Sequence, residues 1–189
     1  MVWAERVKTG IMKRMERIDV LDEYGVPTGA TKPRGEIHRD GDWHRAVHVW
    51  VINGRGEVLL QKRSAAIDLF QNLWDISLAG HVRSGEKSAD AARRELKEEL
   101  GITVEEHELQ FVAAIPSQLK DGALRDNQFS DIYLLRRDID LEKLKKQKEE
   151  VAEIAFVPLQ ELKTLTHEHP ERFVPRAKEY EEMFRLLAP

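Results

Sequence analysis

Glu95, Glu98 and Glu99 stand at relative spacings of i, i+3 and i+4 in the run Ala89 to Leu100, which contains no Gly or Pro. That spacing puts three carboxylates on one flank of a helix, where like charges repel. They also fall in its last turns, where the helix dipole disfavours anions. A solvated acidic flank would pair Glu with Lys four residues later. Here Glu95 is followed at i+4 by Glu99, and Arg93 by Lys97. Three acids crowded on the unfavourable end of a helix call for a cation. Ligands that are all oxygen point to a hard ion, Mg²⁺ first and Mn²⁺ second.

The elements that must position these acids can be read on either side. Ser88 is the expected N-cap, and Gly101 is placed where a left-handed residue ends the helix. Ala89, Ala92, Leu96 and Leu100 share the face expected to be buried. Upstream, Gly80, Glu86 and Arg94 stand in a fixed relation to the acids: Gly80, five residues, Glu86, seven residues, then Arg94-Glu95-Leu96, one residue, Glu98-Glu99, one residue, Gly101-Ile102.

With 189 residues, the chain can bury one sizeable core. Hydrophobic residues are 41% and charged residues 34%. The net charge of −4 gives no general reason to bind nucleic acid or anionic membranes. There is no cysteine, which removes disulfides, thiolate metal sites and a cysteine nucleophile. No apolar run approaches the roughly 20 residues of a membrane span. The first residues lack the apolar core of a secretory signal. These features give a cytoplasmic protein, monomer or homodimer, acting on a small molecule, as the expectation.

Residues 1–15 form a basic, amphipathic arm, and 16–189 are expected to form one domain. Strands are expected over 16–22, 44–53, 57–63, 74–79, 109–115, 126–136 and 151–157. Residues 23–29 are turn chemistry and 35–38 a short extended piece. Asn53-Gly54-Arg55-Gly56 makes a hairpin turn. The charged run 138–150 fits a helix or a solvated linker. Pro158 opens a helix over 159–165, and 175–187 reads as a closing helix. Strands interleaved with helices give an α/β fold, one mixed sheet with helices on its faces.

The Gly80–Ile102 pattern resembles the Nudix box, the signature of enzymes that cleave a diphosphate linked to another group. The resemblance implies the Nudix fold, an α/β/α sandwich around a mixed β-sheet. It implies that Glu95, Glu98 and Glu99 bind the metal and carry catalysis, and that the backbone carbonyl of Ala79 adds a ligand. Glu98 would complete the cluster, or orient and deprotonate the attacking water. Gly80, Glu86 and Arg94 would support loop and helix. Lys62 and Arg63, at a strand end, could meet the distal phosphate or be solvated charges.

Between about 16 and 105 the chain also resembles the isopentenyl-diphosphate isomerase branch of that superfamily. Gly25-Val26-Pro27-Thr28-Gly29, His44, Trp50, Asn53 and Trp74 through Gly80-His81 carry the likeness. In those isomerases three histidines and two glutamates hold a metal. His44 and His81 match two of the histidines, and His38 matches the third after a one-residue slip. Asp126 and Gln128 fall at the glutamates, so these five residues are candidates for a second metal or for substrate. The isomerases carry a catalytic Cys where this chain has Ala79, and their own box is degraded. The resemblance therefore implies metal-dependent hydrolysis of a diphosphate, with isomerase or non-catalytic binding module as alternatives. His48, His167 and His169 match no pattern.

Overall fold

The computed structural model describes residues 16–188; the basic arm 1–15 lies outside the described residues. In order, the elements are β1 (Arg17–Leu21), β2 (Pro27–Pro33), α1 (Arg34–Asp40), β3 (Trp43–Ile52), β4 (Glu57–Arg63), β5 (Trp74–Asp75) and β6 (Leu78–His81). Then come α2 (Ser88–Glu95) with a π turn (Leu96–Leu100), β7 (Leu109–Asp121), β8 (Leu124–Arg136), β9 (Val151–Pro158), α3 (Leu159–Glu168) and α4 (Ala177–Leu186).

The nine strands form one mixed sheet with β3 at its centre. β3 runs parallel to β8 from Trp43↔Asn127 to Ile52↔Arg136. It is antiparallel to β6 and meets β4 only at Ile52↔Val58. β4 continues the sheet through β9. Ser77 accounts for the parting of β3 and β4. Its hydroxyl accepts from the Val51 N–H and donates to the Leu59 carbonyl, groups that a continued ladder would have joined. The site opens beyond this wedge.

Side chains alternate across β3, so each face receives its own layer. Val47, Val49 and Val51 pack against Ala92, Leu96 and Leu100 of the α2 segment. Trp50, Ile132 and Leu134 pack against Leu162 of α3 and Met183 of α4. This is the expected α/β/α arrangement. Leu96 and Leu100 are fully buried, contributing about 1.5–3 kcal/mol each. They seat the helix whose other flank carries the acids.

Several expectations need correction. Residues 35–38 are not extended but belong to α1. Ile37 and His38 are both buried on the inner side of this helix. Gly41, at φ 74°, ends it. The strand expected over 74–79 is broken, because β5 pairs with β4 and β6 with β3, with Ser77 between. Lys87, not Ser88, is the N-cap of α2; the Ser88 hydroxyl is engaged with the Tyr133 hydroxyl at 2.7 Å instead. Pro27 to Gly29 already belong to β2. β7 runs on to Asp121, because β8 pairs with it to the end of the ribbon. The run 138–150 holds one short 3₁₀ turn, Leu141–Lys143, and no longer helix.

Candidate functional site

The acids are fixed by contacts with the loop before their helix. A side chain on Gly80 would place its Cβ 2.5 Å from Cγ of Glu95 and 2.9 Å from Cδ. The Glu95 stem thus lies directly on the Gly80 backbone, which explains the glycine at that spacing. Arg94 holds the other side. It donates bidentately to Glu86, at 2.8 Å for both bonds, and to the His81 carbonyl at 3.1 Å. Its remaining nitrogen reaches Glu95 at 2.7 Å and Glu98 at 3.4 Å. Burial disfavours a charge on Arg94, but Glu86 and Glu95 outweigh it and raise its pKa further. Burial likewise pushes Glu86 up, and the Arg94 bond more than reverses this.

The three glutamates do not share one environment. Glu95 and Glu99 are 2% and 4% exposed and line a pocket with Ala79, Gly80 and His81. The Glu98 side chain is 38% exposed, 3.7 Å from Arg83 and 3.4 Å from Arg94. The single flank expected from helical spacing is split into a buried pair and a part-exposed residue. Leu96–Leu100 is a π turn, so the angular spacing of an α-helix no longer applies there.

Arg63 and Lys62 point to opposite sides of β4. Arg63 lines the pocket, bonded to Asp75 at 3.2 Å and to the Leu69 carbonyl at 3.2 Å. Lys62 pairs instead with Glu153 at 2.8 Å, on neighbouring β9. Glu150, which spacing did not single out, also lines the pocket. Its segment is tied down on two sides: the Gln147 N–H donates to the Glu99 carbonyl, and the Ser64 N–H to the Glu150 carbonyl, both at 2.8 Å.

His38, His44 and His81 come from three different elements, yet their ligand atoms lie within 4.8 Å of one another. Asp126 joins them, 3.4 Å from His44 Nε2 and 3.7 Å from His38 Nε2. The structure thereby brings together the histidines, including the one placed by a slip, and Asp126. Burial lowers the His38 pKa to about 4 against the pull of Asp126, and lowers that of His44 as well. His44 Nδ1 lies 3.3 Å from the Asp42 carbonyl, which favours the tautomer with its lone pair on Nε2. That nitrogen and Oδ1 of Asp126 are buried without a hydrogen-bond partner among the described residues. Three imidazoles and a carboxylate oxygen converging this way fit a divalent ion. Gln128 lines the adjoining wall and lies 3.5 Å from His48.

Behind this wall lies a buried polar network that the sequence did not reveal. Arg176 grips Asp75 with two bonds, at 2.7 and 3.0 Å, and donates to His48 Nε2 at 3.0 Å. A guanidinium has only protons to offer, so Nε2 accepts and Nδ1–H donates to Glu179 at 2.7 Å. Trp50 donates to the other Glu179 oxygen at 2.8 Å. Burial pushes the Asp75 carboxyl up, and Arg176 more than offsets this, leaving it below the usual range. The available signal was an acid on the inward face of the closing helix, where Glu179 shares burial with Tyr180 and Met183.

Comparison with known proteins bears on the same residues. The family profile described as NUDIX domain matches residues 42–177. Nudix hydrolase 3 of Arabidopsis thaliana is 40% identical over 179 residues, covering 91% of this chain and 23% of that protein. An uncharacterised Nudix hydrolase of Listeria monocytogenes is 38% identical over 151 residues, 80% of this chain and 85% of that one. An isopentenyl-diphosphate Delta-isomerase of Cereibacter sphaeroides is 36% identical over 149 residues, 77% of this chain and 80% of that one. A crystal structure from Deinococcus radiodurans superposes with a TM-score of 0.67 at 21% identity, covering 92% of this chain and 100% of that one, which shows the fold. By profile, relatives and architecture, this chain belongs to the Nudix family of pyrophosphohydrolases, whose members generally act on diphosphate-linked substrates.

Proposed function

We propose that the chain hydrolyses a diphosphate joined to a second group, by metal-dependent attack of water on phosphorus. The observation that carries this is the pair of buried carboxylates, Glu95 and Glu99, on a pocket wall that also holds Arg34, Arg63 and Arg176. Acids suited to cations and guanidiniums suited to phosphate oxygens face the same space.

Glu95, Glu99 and the Ala79 carbonyl would hold a hard ion, Mg²⁺ or Mn²⁺. Such an ion, when bound, neutralises diphosphate oxygens and lowers the pKa of coordinated water. Glu98, half-exposed beside Glu95 and Glu99, would be the carboxylate left to orient and deprotonate the attacking water, with Arg83 and Arg94 in reach to hold its side chain in place. Arg63 has the pocket position for a phosphate contact, and Arg34 adds a guanidinium whose Nε has no hydrogen-bond partner among the described residues. Lys62, committed to Glu153, is left out of this role. His38, His44, His81 and Asp126 form a nitrogen-rich second centre that suits Mn²⁺ or Zn²⁺ better than Mg²⁺.

The histidine cluster favours a second reading, isomerisation of isopentenyl diphosphate. Ala79 offers no proton at the position opposite His48 on β3, and Gln128 offers none with carboxylic acidity. A panel of nucleotide sugars, dinucleotides, nucleoside di- and triphosphates and prenyl diphosphates, incubated with Mg²⁺, tests hydrolysis by release of phosphate or monophosphate. No release from any of them would remove the proposal in favour of a binding module. Deuterium in an allylic product formed from isopentenyl diphosphate in D₂O would establish the isomerase instead.

A further inference from the structure

Two guanidiniums converge on one buried carboxylate beside the pocket. Asp75 of β5 pairs with Gln61 of β4, so Arg63, two residues along β4, stands on the same side of the sheet. Its Nη1 donates to Asp75 Oδ2 and its Nε to the Leu69 carbonyl, both at 3.2 Å. Arg176, 101 positions further along the chain, reaches the same carboxylate. Phe173 bridges to Trp74, and the Val174 N–H donates to the Trp74 carbonyl at 2.9 Å, which brings Arg176 to Asp75. Nε and Nη2 of Arg176 then donate to the two Asp75 oxygens, and Nη1 to His48 Nε2. Asp75 is 0% exposed, whereas both arginines line the pocket with Glu95 and Glu99.

Two guanidiniums side by side repel each other. A carboxylate between them offsets that repulsion and fixes the direction of both. Stability alone gives little reason to build such a group, because apolar side chains of similar volume often serve a core as well or better than a buried ion triad. What the carboxylate provides is orientation. A guanidinium has five N–H donors. Arg63 uses two of them in these bonds and Arg176 three, so each keeps donors for a further anion. A diphosphate carries oxygens on two phosphorus atoms. Two cations held at a fixed separation match it with little ordering left to do on binding.

We propose that Asp75 is a positioning residue for the diphosphate, holding Arg63 and Arg176 as a pair toward the space in front of Glu95 and Glu99. The inference rests on the diphosphate reading of this pocket. Its test is calorimetric binding of methylenediphosphonate, a non-hydrolysable diphosphate, to the full chain with Mg²⁺. Wild type, Asp75→Asn, Arg63→Gln and the double variant are compared. Asp75→Asn should weaken binding at least about 10-fold. In the Arg63→Gln background that loss should be at least about 3-fold smaller, because Asp75 acts through the arginine. On a substrate that turns over, KM should rise more than kcat falls. A merely structural Asp75 would give the same loss in both backgrounds. Since Asp75→Asn also costs stability, the wild type supplies a second measurement by NMR. The Nε–H signals of Arg63 and Arg176 should exchange slowly without ligand, and both should shift on adding methylenediphosphonate with Mg²⁺. Equal losses in the two backgrounds, undiminished affinity in folded Asp75→Asn, or arginine signals that do not respond to the ligand would overturn the assignment, whatever the substrate panel shows. The expected pattern with no turnover of any diphosphate would sink the hydrolysis proposed above and leave the role of Asp75 standing.

Discussion

Gly80→Ala is the sharpest test of how the acids are positioned. The added Cβ would sit 2.5 Å from Glu95 Cγ, whereas relaxed carbon contacts start at about 3.5 Å. The stem must therefore retreat by about 1 Å. It cannot do so by tilting alone, because Arg94 holds the Glu95 carboxylate at 2.7 Å and is itself clamped by Glu86. Overpacking of this kind costs about 1–3 kcal/mol of stability. A displacement of about 1 Å in a group that positions the reacting atoms costs on the order of 10²-fold in rate.

Two measurements separate these effects. The first is kcat on whichever diphosphate the panel identifies, where about a 10²-fold loss is expected. The second is the rise in melting temperature on adding Mg²⁺, which reports ion binding without needing turnover and should shrink. Truncating the stem with Glu95→Ala in the Gly80→Ala background removes the crowded Cγ and Cδ and should recover part of the stability while leaving the rate low. Retention of more than half of wild-type kcat by Gly80→Ala, with an unchanged Mg²⁺ response, would refute the idea that this contact positions a metal ligand.

Glu98→Gln and Glu99→Gln should each cut kcat strongly with a smaller effect on KM, as expected for groups acting on charge that develops in the transition state; steady-state kinetics showing more than half the activity in either would remove it from the mechanism. Glu99→Gln should also lose most of the Mg²⁺-induced rise in melting temperature, and Glu98→Gln, altered at a part-exposed position, should lose less. Ala79→Cys alone should give no isomerase activity, since Asp126 and Gln128 stay in place; measurable deuterium incorporation would show that the departures are shallow. Asp75→Asn should destabilise the fold by about 3–5 kcal/mol at neutral pH, because it weakens the buried grip on Arg176. The Asp75 pKa is depressed on folding, so its contribution is present above the unfolded value of about 3.9 and fades as pH falls below it. Urea unfolding of wild type and Asp75→Asn should accordingly converge as pH drops below about 4, and a constant gap would contradict this.

The box helix was legible because its determinants are local. Periodicity located Leu96 and Leu100, and the resemblance to the box implied that Glu86 and Arg94 support loop and helix. The π turn was not legible, because the identity of Leu96–Leu100 fits either helix and the choice is made by packing. That is why Glu98 was grouped with its neighbours. The network of His48, Asp75, Arg176 and Glu179 joins residues more than 100 positions apart, and each of them is unremarkable alone. Only its buried acid on an amphipathic helix departs from local expectation.

The pocket's charges bear on which chemistry the scaffold supports. Moving a double bond by protonation creates a carbocation, which a cationic wall opposes. Cleaving a phosphoanhydride accumulates negative charge on the leaving phosphate, which the same wall favours. Glu95, Glu99, Asp126 and Glu150 face Arg34, Arg63 and Arg176 across the pocket. Asp75 already balances Arg63 and Arg176 in part, and a divalent ion at Glu95 and Glu99 would cancel the charge of that pair, leaving the guanidiniums to meet a substrate's phosphate oxygens. Arg176 cannot relax the balance by losing its proton, since Asp75 raises its pKa further against the cost of burial. The wall would then be set for anion stabilisation whether or not residue 79 can donate a proton. On this argument the missing acid at position 79 is one departure from isomerase chemistry, and the electrostatics of the surrounding pocket are another that a thiol would not repair.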